Sequence, residues 1–235
     1  MVVRLRSCFR GHRYDLKRIG KEIAQLYTDK GEWHRICINP LEQTSTEDIA
    51  LVYADLDVVN TDKQQSLYRE NTVANYEQLL LDQDRNLVKG IYIEGIGGTG
   101  KTFLPRVVFD WTVTIIGQAK SKKIRRNALQ HADIFKIFDL CIPVPLYRLK
   151  EEDTLEDLII NCVTRKHHNV DISRLVRAME LNPNRVLILL DGFDEYRRNS
   201  PIVQQIIYRE RLAGCCVLIT SRSYTIDTNV TKQYG

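Results

Sequence analysis

The chain has 235 residues, 43% of them hydrophobic and 27% charged, with a formal net charge of +4. This size accommodates one α/β domain with a short appendage, and the composition is ordinary for a soluble globular protein without repeats or low-complexity tracts. The modest charge makes no argument for nucleic acid, and no apolar run approaches the ~20 residues a membrane-spanning helix needs.

At the N-terminus, Arg4, Arg6 and Arg10 stand where a secretory signal would need its apolar core, so the expected location is cytoplasmic. Six cysteines (Cys8, Cys37, Cys141, Cys162, Cys215 and Cys216) show no C-x-x-C spacing and no paired histidine ligands. Buried free thiols in a reducing compartment are expected from them, not disulfides or zinc. Leu16, Ile19, Ile23, Leu26 and Tyr27 recur at helical spacing and predict a helix over about 13–29. Asn39-Pro40 ends whatever precedes it. The apolar stretch Ile49 to Val59 fits a helix or a strand. Thr72 reads as the N-cap of a helix carrying Val73, Tyr76, Leu79 and Leu80 on one face. Residues 1–85 are therefore expected to form a mainly helical lead-in segment.

From Lys89 onward strand and helix patterns alternate. Strands are expected near 89–94, 139–147, 185–190 and 215–220, and helices near 100–117, 154–163, 171–180 and 200–212. Such alternation predicts an α/β fold, a three-layer parallel sheet with helices on both faces. Between the first of these strands and its helix lies Gly95-Ile96-Gly97-Gly98-Thr99-Gly100-Lys101-Thr102. Glycines there let backbone N–H groups approach phosphate oxygens, aided by the positive end of the following helix. Lys101 can reach β- and γ-phosphates, and the Thr102 hydroxyl can complete a Mg²⁺ shell. This pattern, between a strand and a helix, predicts binding of a nucleoside triphosphate.

The basic run Lys120, Lys122, Lys123, Arg125 and Arg126 has no interleaved aromatics to stack bases, and reads as a solvated loop. Nucleic acid is not an expected partner. The adjacent pair His167-His168 shares no helix face and has no supporting carboxylate or cysteine, so it reads as surface polarity without metal.

Ninety residues after Lys101, the all-apolar run Val186 to Leu190 ends in Asp191-Gly192-Phe193-Asp194-Glu195. The carboxyl end of a buried strand is where open α/β sheets place their ligands. Asp191 can share a Mg²⁺ shell with Thr102, and Asp194 and Glu195 are candidates to orient or deprotonate an attacking water. The last strand ends in Thr220-Ser221-Arg222. If it lies between the loop strand and the acidic strand, Arg222 emerges beside the γ-phosphate, with several N–H donors for phosphate oxygens.

Together these three segments resemble the NACHT family of signal-transducing P-loop NTPases within the STAND group, the nucleotide switch of NOD-like receptors. The resemblance covers about 89–224, and makes 86–235 the nucleotide-binding domain. It implies a switch that rests with ADP, exchanges it for ATP after a trigger, hydrolyses slowly and self-associates or joins related receptors in innate immune or cell-death signalling. It further implies that Lys101 and Thr102 serve phosphate and Mg²⁺, Asp191 coordinates Mg²⁺, Asp194 supports hydrolysis with Glu195 as the alternative, and Arg222 senses the γ-phosphate. ATP is favoured over GTP because no Asn-Lys-x-Asp guanine motif occurs. Family receptors continue into helical and winged-helix subdomains that close over the nucleotide. This chain stops at Gly235, so a fragment of a longer receptor or a truncated product is expected. Two functional classes follow: a slow Mg²⁺-dependent ATPase switch, or a non-catalytic interaction module acting as a decoy. A small-molecule kinase would need an acceptor pocket and lid arginines that the sequence does not display.

Overall fold

Val186 to Leu190 are apolar at every position, and a strand of that kind is stable only with both faces covered. The computed structural model, which describes residues 16–25, 35–37, 46–48, 77–82, 84–96, 103–117, 132–161, 171–196 and 200–222, places this run at the centre of such an arrangement. In chain order the elements are α1 (16–25), β1 (Arg35–Cys37), β2 (Thr46–Asp48), α2 (Glu77–Leu80), β3 (Gly90–Glu94), α3 (Phe103–Gly117), α4 (Ala132–Phe135), β4 (Leu140–Pro145), α5 (Leu155–Ile159), α6 (Ile172–Leu181), β5 (Val186–Asp191), α7 (Pro201–Ile207) and β6 (Cys216–Ser221). Single 3₁₀ turns follow β4 at Leu146–Arg148 and β5 at Phe193–Glu195.

Four strands form one parallel sheet in the order β3-β6-β5-β4. Their side chains alternate between two layers, as the two-residue period of a strand requires. Val186, Ile188 and Leu190 of β5, with Val217 and Ile219 of β6, pack beneath α5, α6, α7 and the Leu16, Ile19 and Ile23 face of α1. Leu187, Leu189, Cys216 and Leu218 point the other way, into a core shared with Ile91 and Ile93 of β3 and the apolar faces of α3 and α4. Each fully buried Leu, Ile or Val contributes about 1.5–3 kcal/mol of transfer free energy, so this two-sided burial is the main favourable term.

Local chemistry sets the helix starts. The Thr154 hydroxyl accepts from the Asp157 backbone N–H (3.2 Å), while Asp157 accepts from the Thr154 N–H (3.0 Å), a reciprocal cap before α5. The Asp171 carboxylate accepts from the Arg174 N–H (3.0 Å) and opens α6 in the same way. At α7 Pro201 takes the first helical turn, where a missing N–H is harmless.

The expected strands are present within two residues. β4 stops at Pro145, short of 147, because the chain turns into a 3₁₀ segment there. Pro143 and Pro145 are tolerated because, among the described residues, β4 is an edge strand, bonded to β5 on one side. The last helix ends at Ile207 and not near 212, since Arg209 (φ 64°) and Leu212 (φ 54°) adopt left-handed backbone. That reversal lets Arg209 donate from Nη1 to the Cys215 carbonyl (2.9 Å) and from Nη2 to the Lys89 carbonyl, which also accepts from the Val217 N–H (2.9 Å). The antiparallel pair β1–β2 in the lead-in was not expected. Leu26 and Tyr27, the 49–59 stretch, Thr72, the basic run and His167-His168 lie outside the described residues.

The lead-in helix α1 is held against the sheet by a missing side chain. A Cβ on Gly20 would stand 1.9 Å from the Asp139 carbonyl oxygen, and the Ile116 side chain of α3 is 3.5 Å away. Gly20→Ala is expected to destabilise the chain by about 1–3 kcal/mol through this overlap. That is opposite in sign to the ~1 kcal/mol gain the same change brings inside an exposed helix. A urea midpoint equal to or above wild type would show that α1 is not seated there.

Cys141, Cys215 and Cys216 are buried free thiols, as expected for these three. Burial pushes Cys215 and Cys216 up to about 12, partly opposed by Arg209, and raises Cys141 well above its ordinary value. All three should resist iodoacetamide at pH 8 in the native chain and react once it is unfolded, read by peptide mass spectrometry. The unfolded thiols ionise near 9.0 while the folded Cys215 and Cys216 keep their protons to about 12. The unfolded state thus binds fewer protons in that window, and stability should fall as pH rises through it.

Candidate functional site

Parallel pairing brings the carboxyl ends of β3, β6 and β5 to one edge. Glu94 faces Ser221 and Leu190 faces Ile219, so the residues that follow each strand emerge side by side. Because β6 lies between β3 and β5, Arg222 leaves the sheet between the root of the glycine-rich loop and the acidic turn. The Gly95 N–H donates to the Ser221 carbonyl (3.3 Å), extending the β3–β6 ladder into the first loop residue.

Asp191 is buried at the end of β5. Its Oδ1 accepts from the Thr220 hydroxyl (2.8 Å), and that hydroxyl in turn accepts from the Gly192 N–H (3.2 Å). Gly192 has φ 81°, a left-handed angle suited to glycine, and this bend swings the chain into the Phe193–Glu195 turn. The turn presents Asp194 to the first residue after β6. Asp194 Oδ2 pairs with Arg222 Nε (2.8 Å) and Oδ1 accepts from the Arg222 backbone N–H (3.1 Å). Tyr92 of β3 lies close by, with its hydroxyl pushed up to about 12; burial is the main cause, the Ser221 side chain opposes it, and the charges of Glu94 and Asp194 add to it.

Of the expected site residues, the structure brings Gly95, Asp191, Asp194 and Arg222 to this edge. Ile96 follows Gly95 with its side chain 58% exposed. Glu195 closes the 3₁₀ turn. Gly97, Gly98, Thr99, Gly100, Lys101 and Thr102 lie outside the described residues, between the end of β3 and the start of α3. The first turn of α3 carries no acidic residue of its own to compete with an anion at the positive end of that helix.

The residues at this edge fit a magnesium–phosphate ligand. Among the described residues no group of three or more His, Cys, Asp or Glu could enclose a metal. Magnesium does not need one: it keeps several waters and takes one or two carboxylates together with phosphate oxygens. Asp191, a single sunken carboxylate steadied by a hydroxyl, is a donor of that kind.

Thr220 was missed as a site residue by sequence reasoning. The available signal was its place: with Ser221 it breaks the apolar run of β6 at the carboxyl end, where a core strand has no need of a hydroxyl. The Asp194–Arg222 pair joins residues 28 apart and had no local signal at all.

The family model for the NACHT domain matches residues 89–231, more than half the chain and every element of the edge just described. No curated protein matches the chain.

Thr220→Val keeps the shape of the side chain but removes the hydroxyl shared by Asp191 and Gly192. It should lower stability by about 1–3 kcal/mol, with Thr220→Ser recovering most of the loss in denaturant titrations. A valine variant as stable as wild type would show that the hydroxyl does not hold the acidic strand end.

Proposed function

The chain belongs to the NACHT family, and from that premise we propose that it is the ATP-binding, slowly hydrolysing switch domain of a NOD-like receptor type protein. NACHT domains are P-loop NTPase modules of the STAND type. The carrying observation is that Gly95, Asp191, Asp194 and Arg222, from three strand ends, meet at one carboxyl edge. Residues 86–235 form the nucleotide-binding unit on this reading, with residues 1–85 as its lead-in.

Lys101 and the backbone of residues 95–100 would bind the phosphates of ATP or ADP. Thr102 and Asp191 would hold Mg²⁺, which supplies charge neutralisation at the β- and γ-phosphate oxygens when bound. Asp191 is kept in place by Thr220. Arg222 contributes guanidinium donors where a γ-phosphate would lie, and the acidic turn with Asp194 and Glu195 supports hydrolysis. Self-association, or association with related receptors, in innate immune or cell-death signalling completes the proposal, in the cytoplasm. Among the described residues no helix is long and apolar enough to cross a membrane.

Fluorescent ATP binding in Mg²⁺ buffer, followed by phosphate release, tests this reading. Lys101→Ala should keep the fold, judged by circular dichroism, and weaken ATP binding roughly 10- to 150-fold, the loss of charge-assisted hydrogen bonds of ~1.5–3 kcal/mol. Unchanged affinity in the folded variant would remove the basis of the proposal. Binding without phosphate release would leave the non-catalytic module.

A further inference from the structure

We propose that Asp194 is a positioning residue for Arg222, holding the guanidinium for a terminal phosphate, and is not the group that activates water. The inference rests on the nucleotide-binding reading above and divides the labour within its acidic turn. Both carboxylate oxygens of Asp194 are directed to one residue: Oδ1 to the Arg222 backbone N–H at 3.1 Å and Oδ2 to Arg222 Nε at 2.8 Å. A general base must face the proton it takes. The Asp194 side chain is only 9% exposed, whereas that of Arg222 is 55% exposed. The carboxylate is the sunken anchor and the arginine is the part that faces outward.

How the pair is made matters as much as that it is made. Arginine carries five N–H donors, one on Nε and four on the two terminal nitrogens. Asp194 engages Nε, the inner nitrogen, and so fixes the plane and direction of the terminal fork, the portion that matches two oxygens of a phosphate. The second bond, to the Arg222 backbone, fixes where the side chain starts as well as how it turns. The anchor is itself immobilised: it sits on the turn opened by Gly192, whose N–H is tied to Thr220 of β6, the strand from which Arg222 emerges. Asp194 and Arg222 are thereby held to the same strand end from both sides. A long exposed arginine otherwise samples many rotamers, and binding a phosphate would have to order it.

The test reads nucleotide preference. Affinities of the full chain for the β,γ-imido analogue of ATP and for ADP are measured in Mg²⁺, with ADP binding as the control for an intact fold. Arg222→Gln should reduce the preference for the triphosphate by about tenfold while sparing ADP. Asp194→Asn should reproduce most of that loss, and the double variant should lose no more than Arg222→Gln alone. Arg222→Lys keeps the charge but has one nitrogen, which Asp194 would occupy, so it should also lose the preference. The proposal is overturned if Asp194→Asn keeps the wild-type preference while phosphate release falls, or if Arg222→Lys keeps it in full. Failure of the wild-type chain to bind either nucleotide would instead refute the proposed function, and this inference with it.

Discussion

The hydrogen-bond ladder between β6 and its two neighbours is the constraint on which the site depends. Among the described residues β6 lies between β3 and β5 and is bonded to both. It sets the register that puts Glu94 opposite Ser221 and Leu190 opposite Ile219, and it supplies Thr220 to the acidic strand end, the Ser221 carbonyl to the loop root, and Arg222 to the space between. Side chains that bond to one another across this edge come from strands whose apolar centres have already fixed their spacing. The polar residues of this edge stand at the last position or two of β5 and β6, whose other residues are apolar, or just beyond them.

That division has an energetic reason. A carboxylate buried without partners is strongly disfavoured. Asp191 is sunk at the boundary of the core, yet it meets the Thr220 hydroxyl, and Asp194 meets a guanidinium and a backbone N–H. The strand centres provide rigidity through packing, and the strand ends spend some of it on holding charge near the surface. The value of these contacts lies in geometry.

Much of this was legible in the sequence, for identifiable reasons. Val186 to Leu190 announces a doubly covered strand, the glycine-rich loop announces a strand-to-helix turn, and the helices expected from 154, 171 and 200 begin within a residue of those positions. What escaped depends on contacts remote in the chain or on very short pieces. The three-residue strands β1 and β2 are too brief to show a two-residue period. The end of α7 is set by left-handed angles at Arg209 and Leu212 that these residue types do not advertise. Gly20 looks like a weak point in a helix until the Asp139 carbonyl is seen where its side chain would be. The exit of Arg222 between the glycine-rich loop and the acidic turn was legible, given the strand order, but its partner across the edge was not.

The grip of Arg209 on the Lys89 and Cys215 carbonyls has one more effect. Among the described residues β3 has a single neighbour, β6, and a stave with one free side is the easiest to slide. Here it is pinned at the bottom by the arginine and at the top by the Gly95–Ser221 bond. A slip of one residue would turn Ile91 and Ile93 out of their layer and carry the mouth of the glycine-rich loop about 3.3 Å along the sheet. Two small fastenings, one at each end, thus keep the end of β3 and Gly95 in step with the strand end that carries Ser221 and Arg222.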